Sequence, residues 1–582
     1  MSIRYQFLIK NGTVVDGTGA PAFIADVRVD DGIITKIGKD LAIEGRERVI
    51  DATGCYVTPG FIESHNHWDA GVWWSPMVEP MASYGITSSI NGNCGFSCAP
   101  LSQDPAVRNE MINIFNYFED IPVKAQQDQI PWKWTKWSEY RDSLSKNVKF
   151  PVNFGALCGH IPIRLTVMGL DAWDREANSA EIAAMAELLE DALQAGAIGM
   201  SSNLMDRDRQ NRPIPTKLAN DEEWLALLKV LARYPGAMLQ VMVDTVRDLN
   251  GAEQLAHLGE LNREAGARIQ WSGMPTLKFQ KEIKPRFQEV HDRLNGEGQE
   301  VWTTYSHVAP TVVFNMDAGM MFGQQGAPVW QAFTNEPERA KKEAMLTDPA
   351  WLDQARKSWD GLYSHSTLLD PTSLTFIESQ TGYGPTGITL ADHMKAKGFD
   401  HPSDAFADWL LYNGSGSVIH KRAWEFDDDV IMELFHDPRG CGNASDGGAH
   451  GQTLCGAGDN IYLLTHFVRD QKLLSIEEGI HVMTGKLAEC FALADRGILK
   501  EGLRADIAVF NIDEVERRPQ EKIWDVPDGE GGRTYRYTRA AAPMRITLCN
   551  GVATFDNGTV TGRFPGELIA PSAQPPFALA AE

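Results

Sequence analysis

Short β-branched runs alternating with turn residues dominate both ends of the chain. Residues 7–10, 13–15, 26–29 and 33–37 are strand-like, and Asn11-Gly12 and Asp31-Gly32 stand between them. Asn-Gly and Asp-Gly between alternating apolar runs predict tight hairpins, hence a small antiparallel sheet. Residues 505–510, 544–548 and 552–555, with Asn550-Gly551, repeat that pattern near the far end. Neither group alone has enough strands to bury a face, so the two ends are expected to share one β-domain, residues 1–57 plus 500–575.

Between them, from 58 to 499, short apolar runs alternate with longer stretches of helical period. Runs at 85–90, 152–157, 197–200, 237–243, 268–271 and 300–305 predict strands. Residues 179–195, with Ile182, Met185, Leu188, Leu189 and Leu193 at helical spacing, and 221–231 predict helices. The alternation predicts an α/β fold with parallel strands, and about eight repeats fit, the count of a barrel. Residues 280–350, rich in Met, Phe and Trp with scattered charges, break the rhythm and predict an insertion that helps cover the site.

Composition narrows the class. A chain of 582 residues, 43% hydrophobic and 23% charged, has ample core material. No apolar run approaches the roughly 18 residues that span a bilayer. The N-terminus moves straight into strand-like sequence without a secretory pattern, so a cytoplasmic location is expected. Eight dispersed cysteines fit free thiols in a reducing compartment, and a formal charge of -24 repels nucleic acid.

Candidate chemistry begins at Pro59-Gly-Phe-Ile-Glu-Ser-His65-Asn-His67-Trp-Asp69. Side chains alternate along a strand, so His65 and His67 share a face and can grip one metal ion, while Asn66 points elsewhere. Two buried, hydrogen-bonded histidines would read identically.

Five stretches together add a resemblance. They are Asn11-Gly-Thr-Val-Val-Asp-Gly, Thr58-Pro-Gly-Phe-Ile-Glu-Ser-His-Asn-His, Asn93-Cys94-Gly95, Ala444-Ser-Asp446-Gly447 and Asp495-Arg-Gly-Ile-Leu-Lys-Glu-Gly-Leu-Arg-Ala-Asp506. With them the chain resembles the amidohydrolase superfamily, and within it the D-aminoacylase (N-acyl-D-amino-acid deacylase) branch, over nearly its whole length. The resemblance implies a (β/α)8 TIM-like barrel over 58–499 and a β-sandwich formed by the terminal segments. It also implies hydrolysis of an amide C-N bond by metal-activated water, in an N-acylated amino acid or a hydrophobic or cyclic amide. A deaminase or lactonase on the same barrel, or a metal-poor ligand-binding relative, are the alternatives.

By the same resemblance Asp446 is the catalytic proton shuttle and a metal ligand with His65, His67 and Cys94. Turn geometry in Ser-Asp-Gly-Gly, and simple burial of a cysteine, are the plainer readings of Asp446 and Cys94. The family's two middle-strand histidines are missing, because the corresponding regions carry Gln240 and Gln270. No counterpart of the superfamily's carboxylated lysine is visible. One divalent ion, expected to be zinc, is therefore favoured over two. His160, His307 and His450 are candidate substrate-side residues, with His365 the weakest of the histidines. The family's arginine after the catalytic aspartate is absent, since none follows Asp446 until Arg469, and the apolar stretch 316–330 suggests a greasier amide. The expected partners are a small-molecule amide and further copies of the chain in a homo-oligomer, with neither nucleic acid nor membrane.

Overall fold

The computed structural model describes residues 6–317, 319–362, 370–421 and 424–573; His365 lies outside them. Its centre is a ring of parallel strands. Phe61–Asn66, Ile86–Asn91 and Asn153–Ala156 form one sheet; Cys158–Gly159, Gly199–Asn203, Met238–Met242, Arg268–Ser272, Val301–Thr304 and Gly440–Cys441 form the other. Asn153–Ala156 runs almost directly into Cys158–Gly159, so the chain builds eight consecutive staves, all paired in parallel. The last stave meets the first where Ser64 N–H donates to Asn443 O (3.1 Å) and the Asn443 amide to Ile62 O (2.7 Å). Buried Ile62, Ile90, Leu157, Ile198, Met238 and Trp302 fill the interior, as an apolar barrel core requires. Helices Ser179–Gln194, Asp221–Ala232 and Gly251–Ala265 separate successive strands. Asn178 opens the first of these with a capping box that satisfies its end donors.

The terminal segments interleave in one nine-stranded mixed sheet of the sandwich. Tyr56–Pro59 is the seam, parallel to Gln6–Val14 on one side and antiparallel to Ile507–Phe510 on the other. Phe7, Ile9, Val27, Val57, Ile507 and Ile546 share its apolar core. The hairpin expected at Asn11-Gly12 is not there. Gln6–Val14 is one strand with a register shift between Ile9 and Gly12, and Asn11 (φ 62°) supplies the left-handed residue of a bulge. A bulge and a tight turn ask the same conformation of Asn, so the dipeptide cannot tell them apart. At Asp31-Gly32 and Asn550-Gly551 real turns form.

The insertion overlaps the expected 280–350 only from Phe314 onward and continues to Ile419. Residues 284–296 are an ordinary helix between barrel strands. The separate apolar cluster runs from Phe314 to Ile419, around Trp330, Trp359, Phe406 and Trp409, with its own four-stranded sheet. Scattered charges on the helix 284–296 belong to its solvent face and hid its regularity. No helix among the described residues is long and apolar enough to cross a membrane.

Asp506 ties the sheet to the barrel. Its carboxylate accepts from Arg496 Nη1 (2.7 Å), from the barrel's Asn153 amide (3.0 Å) and from Asn550 N–H (2.6 Å), all buried. Removing one partner of a buried pair strands the other charge. Asp506→Ala should therefore cost about 3 kcal/mol or more, read as a lower midpoint in denaturant unfolding.

Candidate metal centre

Backbone pairing sets the site. Asp446 N–H donates to His65 O (3.0 Å) and His67 N–H to Gly447 O (2.8 Å), zipping the end of the first strand to the loop after the last. Asn66, on the opposite face from the two histidines, locks that zip: its Oδ1 accepts from Gly447 N–H (3.0 Å) and Ser445 Oγ (3.2 Å). Gly448, at φ 87°, lies where a Cβ would come within 2.8 Å of His67 and Trp68 backbone atoms, so only glycine lets the loop turn there.

Four donors converge. His65 Nε2 is 3.1 Å from Cys94 Sγ, and Asp446 Oδ1 lies 3.3 Å from His67 Nε2 and 3.8 Å from His65 Nε2. The ligand atoms of His65, His67 and Cys94 all fall within 4.8 Å of one another. Tetrahedral ligands at zinc bond lengths of about 2.0–2.3 Å sit roughly 3.3–3.7 Å apart, so these spacings suit shared metal ligation. The three residues form a divalent-metal-binding site. Cys94 (φ 56°) and Asp446 (φ 58°) both hold left-handed backbone, a strain that clusters at functional sites.

The charges are mutually arranged. Burial pushes His65 down to about 4, keeping it a neutral donor. Burial also opposes charge on His67, but Glu119, Asp446 and Asp69 outweigh it and lift the imidazole to about 9; a bound cation would displace that proton. Burial raises the Cys94 thiol well above its ordinary range. Asp446 opens on the cavity; against burial, His67, His450 and His65 hold its carboxyl well below the usual carboxylate range.

Several contributors lack any signal in the one-dimensional pattern. Glu119 ends the helix Pro105–Glu119, with Oε1 3.5 Å from His67 Nδ1, where a carboxylate orients a ligand imidazole. Asp120 follows, 3.7 Å from His450 Nδ1. Gln240, where the family resemblance placed a histidine, accepts from Cys94 N–H (2.8 Å) and donates to Ser272 Oγ (2.9 Å), so it braces the cysteine. Gln270 instead donates to Cys441 Sγ (3.1 Å).

Of the substrate-side histidines, only His450 reaches the cavity. Its Nε2 lies 3.5 Å from Asp446 Oδ2, and Asp120, Glu119 and Asp446 lift it to about 10 against its burial. His160 is corrected: it is buried at the start of the helix His160–Met168, sealed between Ser202 Oγ (2.9 Å) and Glu223 Oε1 (2.7 Å), and Glu223 is also bound to buried Arg164, so both ring nitrogens are occupied away from the cavity lining. His307 is corrected too. It turns away onto Phe435 and Phe467, with Nε2 on Asp459 O (3.0 Å).

Above Asp446 and His450 lies a cavity of about 350 Å³ walled by Met205, Met242, Met320, Met321 and Trp424. A neighbouring space of about 260 Å³ adds His65, Met274 and Phe426. The stretch 316–330 divides, since Met316, Phe322 and Trp330 fill the inserted unit's own core while Met320 and Met321 face the cavity.

Comparison with known proteins agrees with this geometry. A model described as the amidohydrolase family matches residues 48–353 and 424–555; the unmatched 354–423 falls in the separately cored unit. An N-acyl-D-aspartate deacylase of Alcaligenes xylosoxydans xylosoxydans is 27% identical over 584 residues, 99% of this chain and 97% of the relative. A D-aminoacylase structure superposes with TM-score 0.66 at 22% identity, covering 97% of this chain and 99% of that one. The N-acyl-D-glutamate deacylase of Bordetella bronchiseptica, solved with zinc and a phosphonate inhibitor, gives 0.64 at 24%, with the same coverage.

Glu119→Gln should keep the fold yet weaken metal retention about tenfold or more. Metal content after dialysis against a graded chelator series checks this, and Cys94→Ser should retain still less.

Proposed function

The chain belongs to the amidohydrolase family, and from that premise we propose that this metal-dependent hydrolase of carbon-nitrogen bonds cleaves an amide bearing a large apolar arm. The ion is a single one, taken as zinc, held by His65, His67, Cys94 and Asp446. The observation that carries the reading is the meeting of those four donor atoms at the floor of a methionine-walled cavity. Residues 58–499 are taken as the catalytic barrel, and 1–57 with 500–575 as the β-domain.

When bound, a divalent ion supplies Lewis acidity, polarising the carbonyl and lowering the pKa of water. The chain's own groups move the protons. Asp446, held ionised, accepts a proton through its carboxylate and returns it to the leaving nitrogen, which must be protonated to depart. His450, beside Oδ2, fixes the carboxylate's direction and offsets its charge. Cys94 is kept in place by Gln240, and His67 by Glu119. Methionines adapt to irregular apolar shapes, which suits a wide acyl or amine arm.

A single ion is favoured because neutral amides, Gln240 and Gln270, stand where the resemblance places imidazoles; Gln240 Oε1 is taken by Cys94 N–H, and Gln270 Nε2 by Cys441 Sγ. A D-aminoacylase with a binuclear centre is itself described by one-metal activation and second-metal attenuation.

Stripping metal with a chelator should abolish hydrolysis of long-chain N-acyl amides, and one equivalent of zinc per chain should restore it. Asp446→Asn should lower kcat by about a hundredfold or more. Undiminished turnover after metal removal, or a need for two equivalents, would overturn the corresponding part of the reading.

A further inference from the structure

A second cleft, of about 820 Å³, adjoins the catalytic cavity, and Arg247 lines both. Its wall carries a loop that brings Arg207 and Arg209 to the surface on either side of Asp208. That loop is built rather than floppy. Arg207 bridges Pro213, and Asp208 accepts from Gln210 N–H (3.0 Å), Arg212 N–H (2.9 Å) and Arg212 Nε (2.7 Å). The inserted unit pins it from the far side, Gln324 donating to Arg207 O and Asn335 to Arg209 O, both at 3.0 Å.

The charges do not cancel locally. Asp208 is paired with Arg212, and Glu336, the other acid on the rim, keeps its charge but turns an oxygen to the Glu338 N–H rather than to an arginine. Arg247 faces Asp206 across the shared wall. Arg207 and Arg209, by contrast, bind neutral acceptors, the Asn211 carbonyl (2.9 Å) and the Asn116 amide oxygen (2.6 Å), and neither is ion-paired among the described residues. Arg209 is also held over the Tyr117 ring at 5.5 Å. In a chain of net charge -24, with most surface arginines engaged by carboxylates, two pre-ordered guanidinium groups left facing a cleft mark a place for an anion.

We propose that this cleft is an anion subsite: Arg207 and Arg209 hold a carboxylate on the arm of the amide that extends from the methionine-walled cavity past Arg247. The substrate is then an amide with an apolar arm on one side and a carboxylate, set back from the scissile bond, on the other. This rests on the amide-hydrolase reading above.

The test uses holoenzyme and matched pairs of N-decanoyl amides of glycine, 4-aminobutyrate and 6-aminohexanoate, each as free carboxylate and as carboxamide. At the length that spans the two cavities, kcat/KM for the carboxylate should exceed that for its carboxamide at least about tenfold, the scale of one charge-assisted bond. Raising salt from about 50 to about 500 mM should shrink that preference. Arg207→Gln with Arg209→Gln should bring the ratio towards one, and Arg209→Lys should restore part of it. If the double variant does not fold, the wild-type ratio and its salt dependence still decide. Hydrolysis of both members at equal kcat/KM for every length would overturn the anion subsite and leave the hydrolase standing; hydrolysis of none would sink the amide reading and this inference with it.

Discussion

Two backbone hydrogen bonds, from Asp446 N–H to His65 O and from His67 N–H back to Gly447 O, do more than any other contact to make this site. They join segments 381 positions apart, and they do so in register, which is why imidazoles from one segment and a carboxylate from the other face a common point. A slip of one residue would turn Asn66 inward and both histidines out. Asn66 guards against the slip, since its side chain bonds the very loop that carries Asp446.

Around that register the protein accepts local costs. Left-handed backbone at Cys94, Asp446 and His450, and carboxylates buried beside imidazoles, are unfavourable taken singly. They persist because each is held from two sides: Cys94 by Gln240 and the neighbouring glycine turns, His67 by Glu119 and Asp446, His450 by Asp120 and Asp446. Glu63, pushed up to about 8 by its burial, accepts from Ser445 Oγ beneath the same loop. The centre is thus preorganised by a surrounding layer, which is what holding a cation in fixed geometry demands.

The inserted unit carries its own aromatic core, with Phe376 and Trp409 stacked at 3.8 Å, so it stands on its own packing while lending Met320, Met321 and Gln324 to the cavity and cleft. A barrel fixes the metal-binding floor, whereas the loops and this unit shape what lies above it. Substrate choice can therefore change without touching the floor.

What could be read along the chain is what depends on short-range period. His65 and His67 are two apart in an apolar run, and two is the strand repeat, so their common face follows from covalent geometry. The eight strand-helix alternations and the terminal strand groups follow from the same rule, and the resemblance carried by the motifs around Cys94 and Asp446 added two more residues that the structure brings to the histidines. The failures share one cause as well. Asn11-Gly12 has a conformation that bulges and turns both use, and His160 and His307 follow strands but are taken up by Glu223 and by Asp459 O, which sequence position does not reveal. Glu119, Gln240 and Arg247 reach the site from elements distant in sequence from the histidines and from one another. Only the folded barrel, by setting which strand ends are neighbours and which way each loop leaves, decided that these side chains would meet, because proximity in three dimensions is a property of packing and not of spacing.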